Sequence, residues 1–150
     1  MTKITASDAM PAQVYRFTVP GQPTGKARAR IVSNNGRIMA YTPESTVVGE
    51  EEIRRYAQVA QVRPIVGPVV LTVRCYMRIP ERIAQVARNR KAMEAGTIRP
   101  TPRPDWDNIG KLVSDALNHI AYQDDSQVVE AHVEKWYSYE PRTEIEVRSL

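Results

Sequence analysis

The sequence contains one cysteine, Cys75, and only two histidines, His119 and His132. A lone thiol forms no internal disulfide, and so few sulfur and nitrogen ligands exclude a zinc site built from Cys and His; a reducing, cytoplasmic compartment is the expectation. No apolar run approaches the roughly 18 residues that a membrane helix needs, and the opening MTKITASDAMPAQ lacks the apolar centre of a signal peptide, so no membrane association is expected. No Gly-rich phosphate loop is present, which argues against a nucleotide cofactor. The absence of an internal repeat excludes a solenoid. Acidic residues are missing altogether from Gly25 to Thr42, and only Glu81 and Glu94 interrupt the arginines and lysines between Arg78 and Arg103.

What is present is the material of one soluble domain. In 150 residues, 42% are hydrophobic and 25% charged, and a chain of this length buries roughly 70% of its unfolded surface. Lys and Arg number 21 against 17 for Asp and Glu, a net charge of +4 compatible with a polyanionic partner. Residues 1–13 show no periodicity and read as a flexible tail ahead of a single domain over 14–150. Val14 to Val19 reads as a strand stopped by Pro20 and Gly21. Asn34, Asn35 and Gly36 form a turn signal inside a basic hairpin or loop. Pro43 to Gln61 has helix signals, with Thr42 as N-cap candidate and Pro43 at the first helical position, although Gly49 interrupts it.

Val69 to Met77 reads as a buried central strand. Residues 78–104 form a basic insertion, with a short helix ending at Gly96 and a stiff, proline-rich return through Pro100, Pro102 and Pro104. After Asp107, the positions Ile109, Leu112, Val113, Ala116, Leu117 and Ile120 repeat as one face of an amphipathic helix. Gln127 to Tyr137 and Thr143 to Val147 supply the last strands. The expected fold is α+β, a mixed sheet of four to six strands packed by two main helices.

The chemistry concentrates on that helix. Its polar face carries Asp107, Lys111 and Asp115 at steps of four, with Asp105 just before the first turn. Taken alone, a D-x-D at a helix start is usually a surface feature. Two features lower those odds. Asp124-Asp125, in the connection to the next strand, lies where a returning chain brings another carboxylate beside Asp105 and Asp107, and such a cluster is best explained by a bound cation, magnesium or manganese rather than zinc because every donor is oxygen. The basic segments holding Lys26, Arg28 and Arg30, and Arg88, Lys91 and Arg103, supply phosphate contacts.

The run R-P-D-W-D-N-I-x-K-L-x-x-D-A-L-N from Arg103 to Asn118, followed by Q-D-D-S-Q-V-V-E from Gln123 to Glu130, resembles the signature of the RusA-like Holliday junction resolvases. G-K-A-R-A-R at Gly25 to Arg30 is similar to the basic N-terminal segment of that family. The resemblance implies a RusA-like, magnesium-dependent, homodimeric endonuclease (manganese being an alternative ion) in which Asp105, Asp107 and Asp125 hold the metal and Lys111 is essential nearby. Trp106 between the two aspartates and Gly110 in the first helical turn depart from the usual pattern without removing a ligand. Asp115 and Asp124 are weaker candidates that stand behind the ligands, since Asp115 lies about 12 Å along the helix from Asp107. Glu130, His132 and Glu134 read as a solvated strand face, and both histidines as ordinary surface residues. Trp106, Trp136, Tyr137 and Tyr139 are expected in the core or an interface.

The expected activity is resolution of four-way DNA junctions by paired nicks in recombination and repair, with branched DNA and a second copy of the chain as partners. The alternative is a non-catalytic DNA-binding module with structural acids. A magnesium-dependent nucleotide or sugar-phosphate enzyme using D-x-D is the third class.

Overall fold

The computed structural model describes residues 11–150, so the expected tail over 1–13 lies almost wholly outside the described residues. Gln13 is already fastened: it exchanges backbone and side-chain hydrogen bonds with Ser149, at 2.9 and 3.1 Å. Strand β1 follows at Val14–Pro20. A ribbon of β2, Arg30–Asn34, and β3, Arg37–Tyr41, closes through the turn at Asn35 and Gly36, both with positive φ. Helix α1 covers Glu44–Val59 and strand β4 Val69–Arg78. The short helices α2, Glu81–Ala84, and α3, Ala87–Ala95, lead to α4, Trp106–Ala116. Strands β5, Val128–Ser138, and β6, Arg142–Ser149, complete the fold.

The expected α+β class holds, with one mixed sheet ordered β1-β6-β4-β5. Only the β4/β5 pair is parallel; β1 and β4 run antiparallel to β6. The ribbon β2-β3 forms its own sheet and joins no strand of the main one.

The sheet has one dry and one ionic face. Leu71, Val73, Cys75 and Met77 alternate inward from β4 and meet Ile145 and Val147 of β6. Helices α1 and α4 cover that face with Ile53, Ala57, Ile109, Leu112, Val113 and Ala116, all nearly or fully buried. Each large member of this set contributes about 1.5–3 kcal/mol by leaving water. The other face carries cross-strand pairs, Arg16 with Glu146 at 2.7 Å and Arg74 with Glu134 at 3.2 Å. The central position expected for Val69 to Met77 is correct; Val69, Val70 and Leu71 are buried in succession, and from Leu71 onward only alternate residues are, as in a half-solvated sheet.

Three local expectations change. The N-cap of α1 is Pro43, not Thr42, and no side chain caps the helix. Gly49 does not interrupt α1; it lies inside the helix where a Cβ would stand 3.2 Å from Leu112, so its missing side chain lets α1 approach α4. The basic stretch over 78–104 is anchored rather than a free excursion, because Met93 is fully buried and α3 packs on β5. Gly96 ends α3 in the left-handed region at φ 80, a conformation that favours glycine, and a Cβ there would also collide with Trp136. None of the described helices is long and apolar enough to cross a membrane.

Candidate active site

Asp105 is the N-cap residue of α4 and Asp107 lies in its first turn. Both are exposed, and Asp105 makes no capping hydrogen bond, which leaves its oxygens free toward solvent. Local sequence explains the placement: the return through Pro102 and Pro104 cannot continue a helix, and the apolar periodicity starting at Ile109 fixes which side of α4 faces the sheet. Lys111, one turn on, is exposed on the polar side.

The segment from Gly25 to Arg30 lies directly against this helix start. The Lys26 amide donates to the Asn108 carbonyl at 2.9 Å, and the Ala27 amide donates to Oγ1 of the buried Thr46 at 2.9 Å. Contact is close enough that a Cβ on Gly25 would stand 2.9 Å from Pro104 Cβ and 3.2 Å from Asn108 Cβ. Between segment and helix lies an open cleft of about 750 Å³ whose lining includes Arg28, Arg30, Arg103 and Asp105. A smaller apolar hollow of about 480 Å³, between α1, α4 and the end of β1, contains none of the candidate site residues. Arg88 and Lys91 are exposed on α3 and do not line the cleft.

The second half of the acidic motif lies beyond α4, in the connection to β5. The Asp125 amide donates to Asn118 Oδ1 at 2.8 Å, which docks the connection beside the helix C-terminus. There the Asp125 carboxyl lies beside Asp115. Burial, a hydrogen bond with Asp115 and the charges of Asp115 and Asp124 raise its proton affinity, against the opposing charge of Lys26. Lys26 reaches the same place from the basic segment: its ammonium pairs with Asp115 and lies 3.5 Å from Glu50 of α1. The hydrogen bond with Asp115 raises the Lys26 pKa above its ordinary value, burial opposes this, and the charges of Asp115 and Glu50 add to it. Beneath the pair, Tyr122 is fully buried and donates to the Ser114 carbonyl at 2.7 Å; burial and the surrounding carboxylates push its hydroxyl pKa up.

Asp124 caps the short 3-10 turn Asp125–Gln127. Its Oδ2 accepts from the Ser126 amide at 3.0 Å, and Gln127 Oε1 accepts in return from the Asp124 amide. Bonds to Ser126 hold the Asp124 pKa below the ordinary carboxylate value.

The acids therefore stand in two groups, Asp105 with Asp107 at the start of α4 and Asp125 with Asp115 near its end. Among the described residues, no three His, Cys, Asp or Glu side chains form a group that could hold a metal ion. The donor chemistry, carboxylate oxygens throughout, fits a hard divalent cation; the gathering of Asp105, Asp107 and Asp125 into one cage is not present. Glu50, Thr46 and Asn118 are participants that sequence reasoning missed. Asn118 stood inside the motif already, whereas nothing local marks Glu50.

Aromatic placement narrows the expectation of core or interface. Trp106 is 64% exposed beside the two aspartates and Tyr139 is 56% exposed, so neither fills the core. Trp136 is half-buried under the Arg99 guanidinium, 3.4 Å from its ring centre, and Tyr137 packs on the core edge. Glu130 and His132 lie on a solvated face, as expected, while Glu134 pairs with Arg74 and accepts from Trp136 Nε1 at 2.8 Å.

Residues 20–148 match the family described as Endodeoxyribonuclease RusA. A curated relative, "Uncharacterized protein YqaN" of Bacillus subtilis (strain 168), is 38% identical over 138 residues, covering 90% of this chain and 96% of the relative.

Proposed function

The chain belongs to the RusA family of endodeoxyribonucleases, and on that premise we propose that it resolves four-way DNA junctions by paired nicks, as a magnesium-dependent homodimer serving recombination and repair in the cytoplasm. One observation carries the reading: Asp105, at the start of α4, shares a single cleft with Arg28, Arg30 and Arg103. Cations that hold a sugar-phosphate backbone thus stand beside the carboxylates that chemistry on it requires.

The residue roles follow from charge and position. Arg28, Arg30 and Arg103 bind phosphates on either side of the cut, which fixes the strand in the cleft. A divalent cation held at the start of α4 by Asp105 and Asp107, and joined by Asp125 once the ion draws the two groups of acids together, would offset the charge on the scissile phosphate and acidify a water for attack on phosphorus. Lys111, one turn from Asp107, offers an ammonium to the charge that grows on the phosphoryl oxygens. Lys26, engaged by Asp115 and Glu50, positions the basic segment and, as part of the cleft lining, adds its charge to the wall that faces DNA. Because a four-way junction has approximate two-fold symmetry, two equivalent sites in a C2 dimer cut opposed strands.

A second reading is favoured by the same ion pairs. With Asp115 and Glu50 neutralising Lys26, and Asp124 capping a turn, several acids have structural roles, as in a DNA-binding module that does not cut. One assay separates the two. A synthetic four-way junction incubated with the protein should be nicked symmetrically with magnesium and left intact with chelator. Asp107→Asn and Lys111→Ala should each lower cleavage at least 100-fold while junction binding stays within about two-fold. Binding without cutting by the wild type establishes the module instead.

A further inference from the structure

The ribbon β2-β3 exposes large apolar side chains on both of its faces. Ile31 is paired with Ala40 and Ser33 with Ile38, which puts Ile31 and Ile38 on one face, 73% and 78% exposed. The opposite face carries Val32 beside Met39 and Arg30 beside Tyr41, and every residue of the two strands is exposed. A two-stranded ribbon that pairs with no other strand among the described residues is at best marginally stable in water, and a patch of this kind marks a surface that a partner covers.

Charge identifies the partner. Arg28, Arg30 and Arg37 surround the apolar residues, there is no acidic residue from Gly25 to Thr42, and these three arginines enter no ion pair among the described residues. A second copy of the ribbon would bring arginine against arginine with no carboxylate to relieve it, whereas a polyanion satisfies all three. The root of the ribbon, Arg28 and Arg30, is also a wall of the cleft that holds Asp105. The apolar side chains then narrow the kind of polyanion. Duplex grooves present mainly polar edges and phosphates, while the broad apolar surfaces of DNA are the faces of base pairs, exposed where stacking is interrupted.

We propose that the β2-β3 ribbon is a wedge that enters the branch point of junction DNA, where Ile31 and Ile38 pack on unstacked base-pair faces while Arg30 and Arg37 hold the flanking phosphates. The proposal rests on the reading of the chain as a junction-acting nuclease and assigns its preference for branched over linear DNA to this element.

The test uses the full chain, a four-way junction carrying 2-aminopurine beside the branch point, and a linear duplex of equal length, with binding measured in chelator. Wild-type protein should raise the 2-aminopurine fluorescence. Ile31→Ser combined with Ile38→Ser should abolish that rise and weaken junction binding at least ten-fold, with duplex binding changed less than two-fold. Ile31→Val combined with Ile38→Val should restore both, and Arg37→Ala, which leaves the apolar face intact, should weaken junction binding and flatten its salt dependence. A serine pair that binds and unstacks the junction like wild type overturns the wedge. A serine pair that changes the sedimentation of the free protein also overturns it, because the face then belongs to a second copy. Wild type that neither binds nor cuts the junction overturns the nuclease reading itself, an outcome distinct from both.

Discussion

Lys26 is the residue on which the site's two halves depend. Its ammonium lies among Asp115, Glu50 and Asp125, and its backbone amide holds Asn108 at the far end of the same helix. Lys26→Met takes the lysine from Asp115 and Asp125, while Glu50 keeps Arg54 at 3.1 Å, and the expected loss is about 1–3 kcal/mol of stability at neutral pH, measured by denaturant unfolding. The pH dependence has a definite sign. A lysine whose native pKa is raised stabilises the fold fully below its ordinary value of 10.5, and that contribution disappears as pH rises through the native value. The stability gap between wild type and Lys26→Met should therefore stay constant up to about pH 10 and narrow above it. A gap independent of pH to the alkaline limit would assign the effect to packing of the lysine stem instead.

Among the elements, α4 was the most legible. The periodicity of Ile109, Leu112, Val113, Ala116 and Leu117 is a local property, and all five are buried as that pattern requires. The four sheet strands were legible for the same reason, since alternation and Pro or Gly stops are local signals. What stayed hidden depends on contacts between distant parts of the chain. That Asp125 would dock beside Asp115 follows from Asn118 taking the Asp125 amide, a feature of the folded connection and not of spacing. The basic segment was visible as charge, but its seat against α4 depends on Gly25 meeting Pro104 and Asn108 some eighty residues later. Gly25→Ala tests that seat. A methyl group 2.9 Å from Pro104 Cβ forces segment and helix apart, so cleavage should fall at least ten-fold while the unfolding midpoint moves far less than for Lys26→Met.

At the scale of the molecule, the separation of faces governs function. One side of the sheet is sealed by α1 and α4, and the other carries ion pairs and stacked Arg99, Trp136, Tyr76 and Arg142. The cleft lies at the edge of the sealed side, where the two helices meet the basic segment. A symmetric cutter of opposed strands needs two such clefts, so sedimentation should give twice the 17.0 kDa chain mass, with or without junction DNA. A monomer that cuts one strand at a time would remove the two-fold assignment.

Among the described strands, β1 hydrogen-bonds within the sheet only to β6, and β6 is the last of them in sequence. β1, which leads toward the basic segment, therefore gains its neighbour in the sheet only after the aspartates of α4 have been synthesised. The described sheet closes last at β6, which slots between β1 and β4 and joins the start of the chain to its middle.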